Sequence, residues 1–346
     1  MKRLLFVTPY PHNSIEMSAC IRGYFDQYRA MGYEVTREKI YFWENKLFYS
    51  LKWLALLRYL FLPAKAFMLH QHTIAGSGPL IIVFLVGTRL MRRRTIVVSH
   101  ETVGTYAKHL PRFLRWVAYA YEWMVVVFSD AFVVHTKMHF DEIASFAPVK
   151  HVHIIPHPVP VTVERLPQQK TAWGFYGMIS HKKGVDLLIE AYQHFPAGRL
   201  PPLRIMGRAA PNEAAYEQEC KAMVLREFSS LITFTGFIPD DEKKTYFADI
   251  GLMVFPYRYL SQSGALAETC MYGIPYLASD LPFFIEFHTA FGGGRLFTND
   301  SVVSLQSELD FLADNPMKIT EEQWRNIRDT LSIEKCAGRI KEIIEG

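Results

Sequence analysis

Cysteine is scarce in this sequence: Cys20, Cys220, Cys270 and Cys336 are the only four in 346 residues, and no two form a CxxC pair. That scatter excludes a disulfide framework and a zinc-thiolate site, and it suits a reducing cytoplasm. Long apolar runs are also missing. A bilayer-spanning helix needs about 20 apolar residues, whereas the stretch from Pro79 to Met91 is interrupted by Arg89 and followed by Arg92, Arg93 and Arg94. The start, MKRLLFVTPYPHN, has too short an apolar core for a secretory signal and reads as a first strand. Walker A and GxSxG motifs, zinc-ligand clusters and the paired carboxylates of glycoside hydrolases are absent, as is an Asp-x-Asp in a loop suited to Mg²⁺.

What is present is a folded composition, 50% apolar, with neither repeats nor low-complexity tracts. The length suits two α/β domains of roughly 150 residues each. Charge is divided unevenly. Residues 1–160 carry a net +9 and residues 161–346 a net −5, out of +4 for the chain. The basic half contains two basic-aromatic stretches, KLFYSLKWLALLRYLFLPAK at 46–65 and KHLPRFLRWVAYAYEW at 108–123. Such helices favour anionic membrane surfaces. The same pattern also describes an ordinary core helix with a solvated face, and the sequence leaves both readings open. The expected location is therefore the cytoplasm, with peripheral attachment to the inner membrane face if the first reading holds. Nucleic acid is not an expected partner, because no recognised motif accompanies the basic half.

Short β-branched or aromatic runs at 4–10, 34–42, 66–72, 95–100, 131–136 and 151–157 alternate with helix-length periodic segments at 17–31, 44–61, 76–91, 111–128 and 137–146. Such alternation implies a parallel sheet with helices on both faces. A proline-rich stretch, 156–170, reads as a linker. The alternation then restarts, with strands at 172–177, 202–207, 232–236, 251–257 and 275–280 and helices at 184–194, 212–228, 241–248 and 264–272. Further helices follow at 301–314, 320–331 and 333–345. The expected fold class is α/β, with two doubly wound Rossmann-like domains facing a cleft. The expected domains are 1–158 and 159–330, with 331–346 as a terminal helix packing back toward the first. Ligands of such sheets bind at the carboxyl ends of the strands.

The most informative stretch is FPYRYLSQSGALAETCMYGIPYLASD, 255–280. A strand ends at Phe255-Pro256, and a loop of small polar residues, Ser261-Gln262-Ser263-Gly264, opens a helix that continues through Ala265 to Glu268. Free N–H groups and the positive dipole end at Ser263 and Gly264 suit a diphosphate. From one turn further on, the Glu268 carboxylate can accept hydrogen bonds from ribose hydroxyls. Upstream, Gly177 ends a strand and Lys182-Lys183-Gly184 opens a helix. Lys183 there can reach a phosphate at the same sheet edge. Taken singly, these features are also what a capping serine, a surface glutamate and two solvated lysines look like.

Together they resemble a known family. Gly177, Lys183-Gly184, Gly207, Thr235-Gly236, Pro256, Ser263-Gly264, Glu268, Gly273-x-Pro275 and Ser279-Asp280 stand in an order similar to the donor domain of glycosyltransferase family 4, the retaining GT-B enzymes also called glycosyl transferases group 1. The resemblance is strong over 172–286. It continues more weakly through Pro9-Tyr10-Pro11, His70-x-His72, Ser99-His100-Glu101 and Ile155-Pro156-His157.

The resemblance implies a fold and an activity: a GT-B hexosyltransferase that moves a sugar, with retention, from a UDP- or GDP-linked donor to a glycan or lipid-linked acceptor. It implies a nucleotide-sugar as co-substrate, no metal and no further cofactor. Lys183 would contact the diphosphate, with Ser263 and Gly264 supplying backbone donors and Gly177 and Ala265 also binding the donor; Glu268 would hold the ribose, His100 would face the transferred sugar, and His100, Lys183 and Glu268 would be the catalytic residues. Tyr10, His12, His72 and Glu101 would line the acceptor side.

Three positions depart from the family pattern. Leu260 stands where the family carries a sugar-contacting glutamate, so Ser261 or Gln262 takes its place, or the sugar is held differently. Met178 replaces a basic residue, a loss for which Arg208 or Arg258 would compensate. The loop after the first strand, Asn13 to Ser18, lacks a glycine pair, which disfavours close approach of that backbone to a phosphate. These departures keep two alternatives open: a sugar-nucleotide epimerase of the same architecture, and a catalytically silent GT-B scaffold in a glycan-assembly complex.

Overall fold

The computed structural model describes residues 3–8, 15–39, 61, 66–73, 80–107, 110–159, 165–166, 171–210 and 212–346. Almost all of the expected helix at 44–61 lies outside that set, as do Tyr10, His12 and most of the expected linker. The chain divides into two units, one formed by Met1–Thr162 with Thr330–Gly346, the other by Val163–Asp329.

The first unit contains strands β1 (Arg3–Thr8), β2 (Glu34–Lys39), β3 (Ala66–Thr73), β4 (Arg94–Glu101), β5 (Ala131–Val134) and β6 (Val152–Ile154). They form one sheet in the order β2-β1-β3-β4-β5-β6, every pair parallel. Its helices are α1 (Ile15–Ala30), α2 (Leu80–Leu90), the one-turn α3 (Val103–Tyr106), α4 (Arg112–Phe128) and α5 (Lys137–Ala144). Because side chains alternate along a strand, a run that is apolar at every position buries two faces. Leu4, Met68, Ile96, Val98 and Val133 accordingly face a core shared with Cys20, Tyr24 and Tyr28 of α1 and with Ile340 and Ile344 of the helix Ile333–Glu345. Their neighbours Leu5, Phe67, Leu69, Val97, Phe132 and Val134 face a second core with Phe84 and Leu85 of α2 and Val125 and Val126 of α4. The helix Ile333–Glu345 is fastened to this unit by polar bonds as well. Tyr33 Oη donates to Glu345 Oε1 (2.8 Å), and Arg94 Nη1 donates to the Ile344 carbonyl (3.2 Å).

The second unit runs β7 (Ala172–Tyr176), α6 (Val185–Gln193), β8 (Leu203–Met206), α7 (Ala214–Ala222), β9 (Ile232–Gly236), α8 (Lys243–Ala248), β10 (Ile250–Phe255), α9 (Gly264–Met271), β11 (Tyr276–Ser279), α10 (Pro282–Phe291), β12 (Gly294–Phe297), α11 (Val302–Asp314) and α12 (Glu321–Leu331). Its sheet is also parallel throughout, in the order β12-β11-β10-β7-β8-β9. The doubly wound architecture read from the sequence is the one observed.

Several details differ from the sequence reading, the unexpected one-turn α3 among them. The helix expected over 212–228 is α7 followed by a separate 3-10 turn, Arg226–Phe228. Helix α10 and strand β12 were not expected. Pro282 occupies the first turn of α10, where a missing N–H costs nothing. Gly292 and Gly293, at φ 63° and 79°, lead into a four-residue strand that pairs Gly294 with Tyr276. Among the described residues, no helix is long and apolar enough to cross a membrane.

Candidate active site

Residues from five loops of the second unit converge at the carboxyl ends of β7, β8 and β10. After β7 the chain passes Gly177 and enters a 3-10 turn, His181–Lys183, that closes at Gly184 with φ 64° and ψ 35°. Glycine is required at 184 twice over. The backbone is left-handed, and a Cβ would stand 2.0 Å from the Pro256 carbonyl oxygen. This close approach of the α6 start to the end of β10 sets Lys183 against Tyr257. Lys183 Nζ donates to Tyr257 Oη at 2.8 Å and lies 4.1 Å from the ring centroid. Gly177 faces the same pair, since a Cβ there would lie 3.3 Å from Nζ and 3.6 Å from Tyr257 Oη. Gly207 packs its backbone on Gly177, where a Cβ would be 1.8 Å from the Gly177 carbonyl oxygen.

Arg258, expected among the donor contacts, is instead taken up within the protein. Its guanidinium forms a fork with Asp186 (2.8 and 2.9 Å) and also binds Asp300 (2.8 Å) and the His181 carbonyl (2.9 Å). Its main-chain N–H donates to the Lys182 carbonyl at 2.9 Å. These bonds fasten the Lys183 turn to the loop after β10 and leave the guanidinium facing carboxylates rather than an open phosphate position. Burial pushes the Asp186 carboxyl up, but hydrogen bonds from Arg258 and Tyr216 outweigh it and hold the group below the ordinary carboxylate range. Arg208 is exposed, with its guanidinium carbon 5.2 Å from the Phe237 ring centroid.

On the other side of β7, Ser263 caps α9 by accepting the Leu266 N–H at 3.2 Å. Gly264, the first helical residue, is exposed, and a Cβ there would meet nothing within 4 Å. The backbone at this helix start is therefore accessible, as an anion site requires. Ser261, Gln262 and Ala265 are half-buried around it. Glu268 lies one turn further and is buried. Lys243 Nζ of α8 donates to its Oε1 at 2.8 Å, and Tyr176 Oη donates to its Oε2 at 3.3 Å. Burial raises the Glu268 carboxyl against the pull of Lys243. Burial works to lower Lys243, but Glu268, Tyr176 and Asp240 outweigh it and hold the ammonium above its usual range. Tyr176 and Gly177 are consecutive, so the Glu268 and Lys183 clusters meet at the carboxyl end of β7.

Of these groups, Tyr176, Tyr257 and Lys243 were missed in the sequence. Tyr176 and Tyr257 sit at strand ends, one beside Gly177 and one beside Pro256, which is the only signal they carry. Lys243 falls in a polar run, PDDEKK, that looks like solvated surface.

In the first unit, His100 is buried near the end of β4, and half-buried Glu101 is the last residue of that strand. His100 packs on His135 (ring centroids 4.5 Å apart) and on His157 (5.2 Å), which follow β5 and β6. His135 Nδ1 is 2.7 Å from the Ile155 carbonyl, and desolvation lowers the His157 imidazole to about 4. His72 lies in β3; its side chain, like all of Tyr10 and His12, is outside the described set. Among the described residues, no group of three or more His, Cys, Asp or Glu is arranged to hold a metal ion.

Residues 162–329 match the model of the family Glycosyl transferases group 1. No curated protein matches the chain in sequence. Among solved structures, HepE of Anabaena in complex with UDP superposes with a TM-score of 0.76 at 13% identity, over all of both chains. Sucrose-phosphate synthase of Thermosynechococcus elongatus gives 0.74 at 11% identity, over 100% of this chain and 98% of that one. The lipopolysaccharide outer core galactosyltransferase WaaB gives 0.72 at 12%, over 99% of each. At such identities the likeness concerns the fold. The second unit thus matches the Glycosyl transferases group 1 model, and the chain that carries it has the GT-B fold.

Proposed function

We propose that this protein is a retaining, metal-independent hexosyltransferase that takes a sugar from a UDP- or GDP-linked donor and passes it to a glycan or lipid-linked acceptor. The observation that carries the reading is the meeting of a held lysine, Lys183, an open helix start at Gly264 and a buried carboxylate, Glu268, at one strand end of a domain matching that family. In this reading Lys183 and the α9 N–H groups neutralise the departing diphosphate, a task that otherwise falls to a metal ion. Glu268 receives the ribose hydroxyls. The first unit binds the acceptor, with Glu101 and His72 among the acceptor contacts and His100 facing the sugar. UDP is the first nucleotide to try, because HepE has been solved with UDP and with UDP-glucose.

A thermal-shift series with UDP, GDP and ADP tests the donor assignment. UDP at one hundred times its dissociation constant adds about 2.7 kcal/mol, a rise of several degrees. A rise with GDP alone would correct the base. No rise with any of them would overturn the donor reading, and a rise without sugar transfer would favour a silent scaffold.

The proposal extends to an anionic membrane surface as the place of work. Helix α4 buries Ala118, Glu122, Val125 and Val126 on one side. Its other side is apolar too, and Phe113 (68%), Trp116 (78%) and Val117 (60%) are exposed there. A helix that is apolar all round is ordinarily covered. Arg112 and Arg115 in the first turn, on the basic half of the chain, suit acidic headgroups. Vesicles containing phosphatidylglycerol are expected to bind the protein. The pair Trp116→Glu and Val117→Glu should weaken that binding at least tenfold, since each large apolar side chain contributes about 1.5–3 kcal/mol on burial. Equal partitioning of wild type and variant in a flotation assay would remove α4 from the membrane reading.

A further inference from the structure

The turn that follows His100 is held by two carboxylates from distant helices. Thr102 opens α3, yet its side chain makes no capping bond to that helix. The first N–H groups of α3 are satisfied from elsewhere. Val103 N–H donates to Glu122 Oε2 of α4 at 2.7 Å, and Gly104 N–H donates to Glu142 Oε1 of α5. Thr102 Oγ1 donates to the other Glu142 oxygen at 2.6 Å. Glycine at 104 is what admits the carboxylate, because a Cβ would stand 2.5 Å from Glu142 Oε1. On the strand side, Ser99 Oγ donates to the Glu101 carbonyl at 2.8 Å.

This arrangement costs more than helix capping requires. One Ser, Thr, Asp or Asn at the cap position would satisfy a one-turn helix locally. Glu122 is instead fully buried, and its Oε1 has no hydrogen-bond partner. Burial, with a smaller contribution from Glu142, holds its carboxyl well above the ordinary carboxylate range. Burying an ionisable group without full pairing is unfavourable by several kcal/mol. What the pair achieves, and a local cap does not, is a rigid link between the His100–Glu101 strand end and two helices of the scaffold.

We propose that Glu122 and Glu142 are positioning residues, which fix the Thr102–Gly104 backbone and through it the placement of His100 and Glu101 for sugar transfer. The inference rests on the role given to His100 above. The contacts of Glu122 and Glu142 are to the turn itself, at Thr102, Val103 and Gly104. They act through the turn, so their removal changes turnover and leaves donor binding in residues 163–329 alone.

The test uses the full-length chain and the UDP-sugar that the donor screen identifies. Glu122→Ala and Glu142→Ala should each lower kcat ten- to one-hundredfold, with donor KM and the UDP thermal shift within twofold of wild type. Amide exchange at Val103 and Gly104 should quicken at least tenfold. Glu122→Gln keeps an acceptor oxygen for Val103 and should recover most of the kcat lost in Glu122→Ala. Gly104→Ala, which pushes on Glu142 without deleting it, should reproduce the kcat loss. Two results would overturn the inference: kcat unchanged in both alanine variants, or kcat, KM and the UDP shift collapsing together with no recovery in Glu122→Gln. A wild-type chain that binds UDP but transfers no sugar would overturn the functional reading and this inference with it. An active wild type with indifferent variants would overturn the inference alone.

Discussion

Replacing Lys183 with alanine is expected to lower kcat/KM for the donor about 10²–10³-fold, the usual cost of losing one preorganised donor to a developing charge. The expectation comes from how the ammonium is held. Lysine is ordinarily a flexible point charge that loses considerable rotamer entropy when fixed. Here Tyr257 Oη and the Tyr257 ring have already restricted it, and the Gly177 side of the site leaves room beside Nζ. Lys182, one residue earlier, is exposed, and Lys182→Ala should stay within about twofold of wild type, as surface substitutions usually do. Lys183→Arg should not rescue activity. A planar guanidinium is larger than the ammonium, and the crossing of the Gly177 and Gly207 backbones leaves little freedom to move. Steady-state kinetics and the UDP thermal shift on the three variants check this. Wild-type values for Lys183→Ala would sink the assignment of the turn.

The second large effect concerns stability. Lys243→Met is expected to destabilise the second unit by about 3–5 kcal/mol, because it leaves Glu268 buried beside an apolar group. That loss corresponds to a fall on the order of ten degrees in the midpoint. The double change Lys243→Met with Glu268→Leu should regain much of the loss, since no charge is then stranded. It should not regain UDP affinity, because the carboxylate proposed to hold the ribose is gone. Calorimetry on the two single variants and the double variant gives the coupling directly. Additive losses would mean that Lys243 and Glu268 do not act as a pair, despite their 2.8 Å contact.

How much of this was legible in the sequence follows from what kind of interaction each feature uses. The parallel sheets were readable because their strands are apolar at successive positions and alternate with amphipathic helices, a local signal. Gly177 and Gly207 were visible as glycines after strand-like runs and Gly184 as the glycine opening a helix, and the structure supplies the reason in approaches of 2.0 and 1.8 Å between backbone oxygens and an added Cβ at 184 and 207. Strand β12 was illegible because four residues that begin at the last of three consecutive glycines carry no period. The fate of Arg258 was illegible for a different reason. Its partners Asp186 and Asp300 lie 72 and 42 residues away, and only the folded sheet brings them together. Lys243 was hidden in the same way, 25 residues from Glu268 in a stretch that reads as surface.

The route of the chain also sets an order of assembly. The second unit is one continuous segment, Val163–Asp329, whereas the first is built from Met1–Thr162 and Thr330–Gly346. During synthesis the second unit has its whole core once residue 329 has emerged. The first unit at that moment still lacks Ile340 and Ile344, which complete the core that Leu4, Met68, Ile96 and Val98 share with Tyr24 and Tyr28 of α1. The bond from Tyr33 to Glu345 spans 312 residues, a long loop to close. A ribosome-bound chain halted before residue 333 should therefore be aggregation-prone through residues 1–162, since that unit is begun before the second and completed after it.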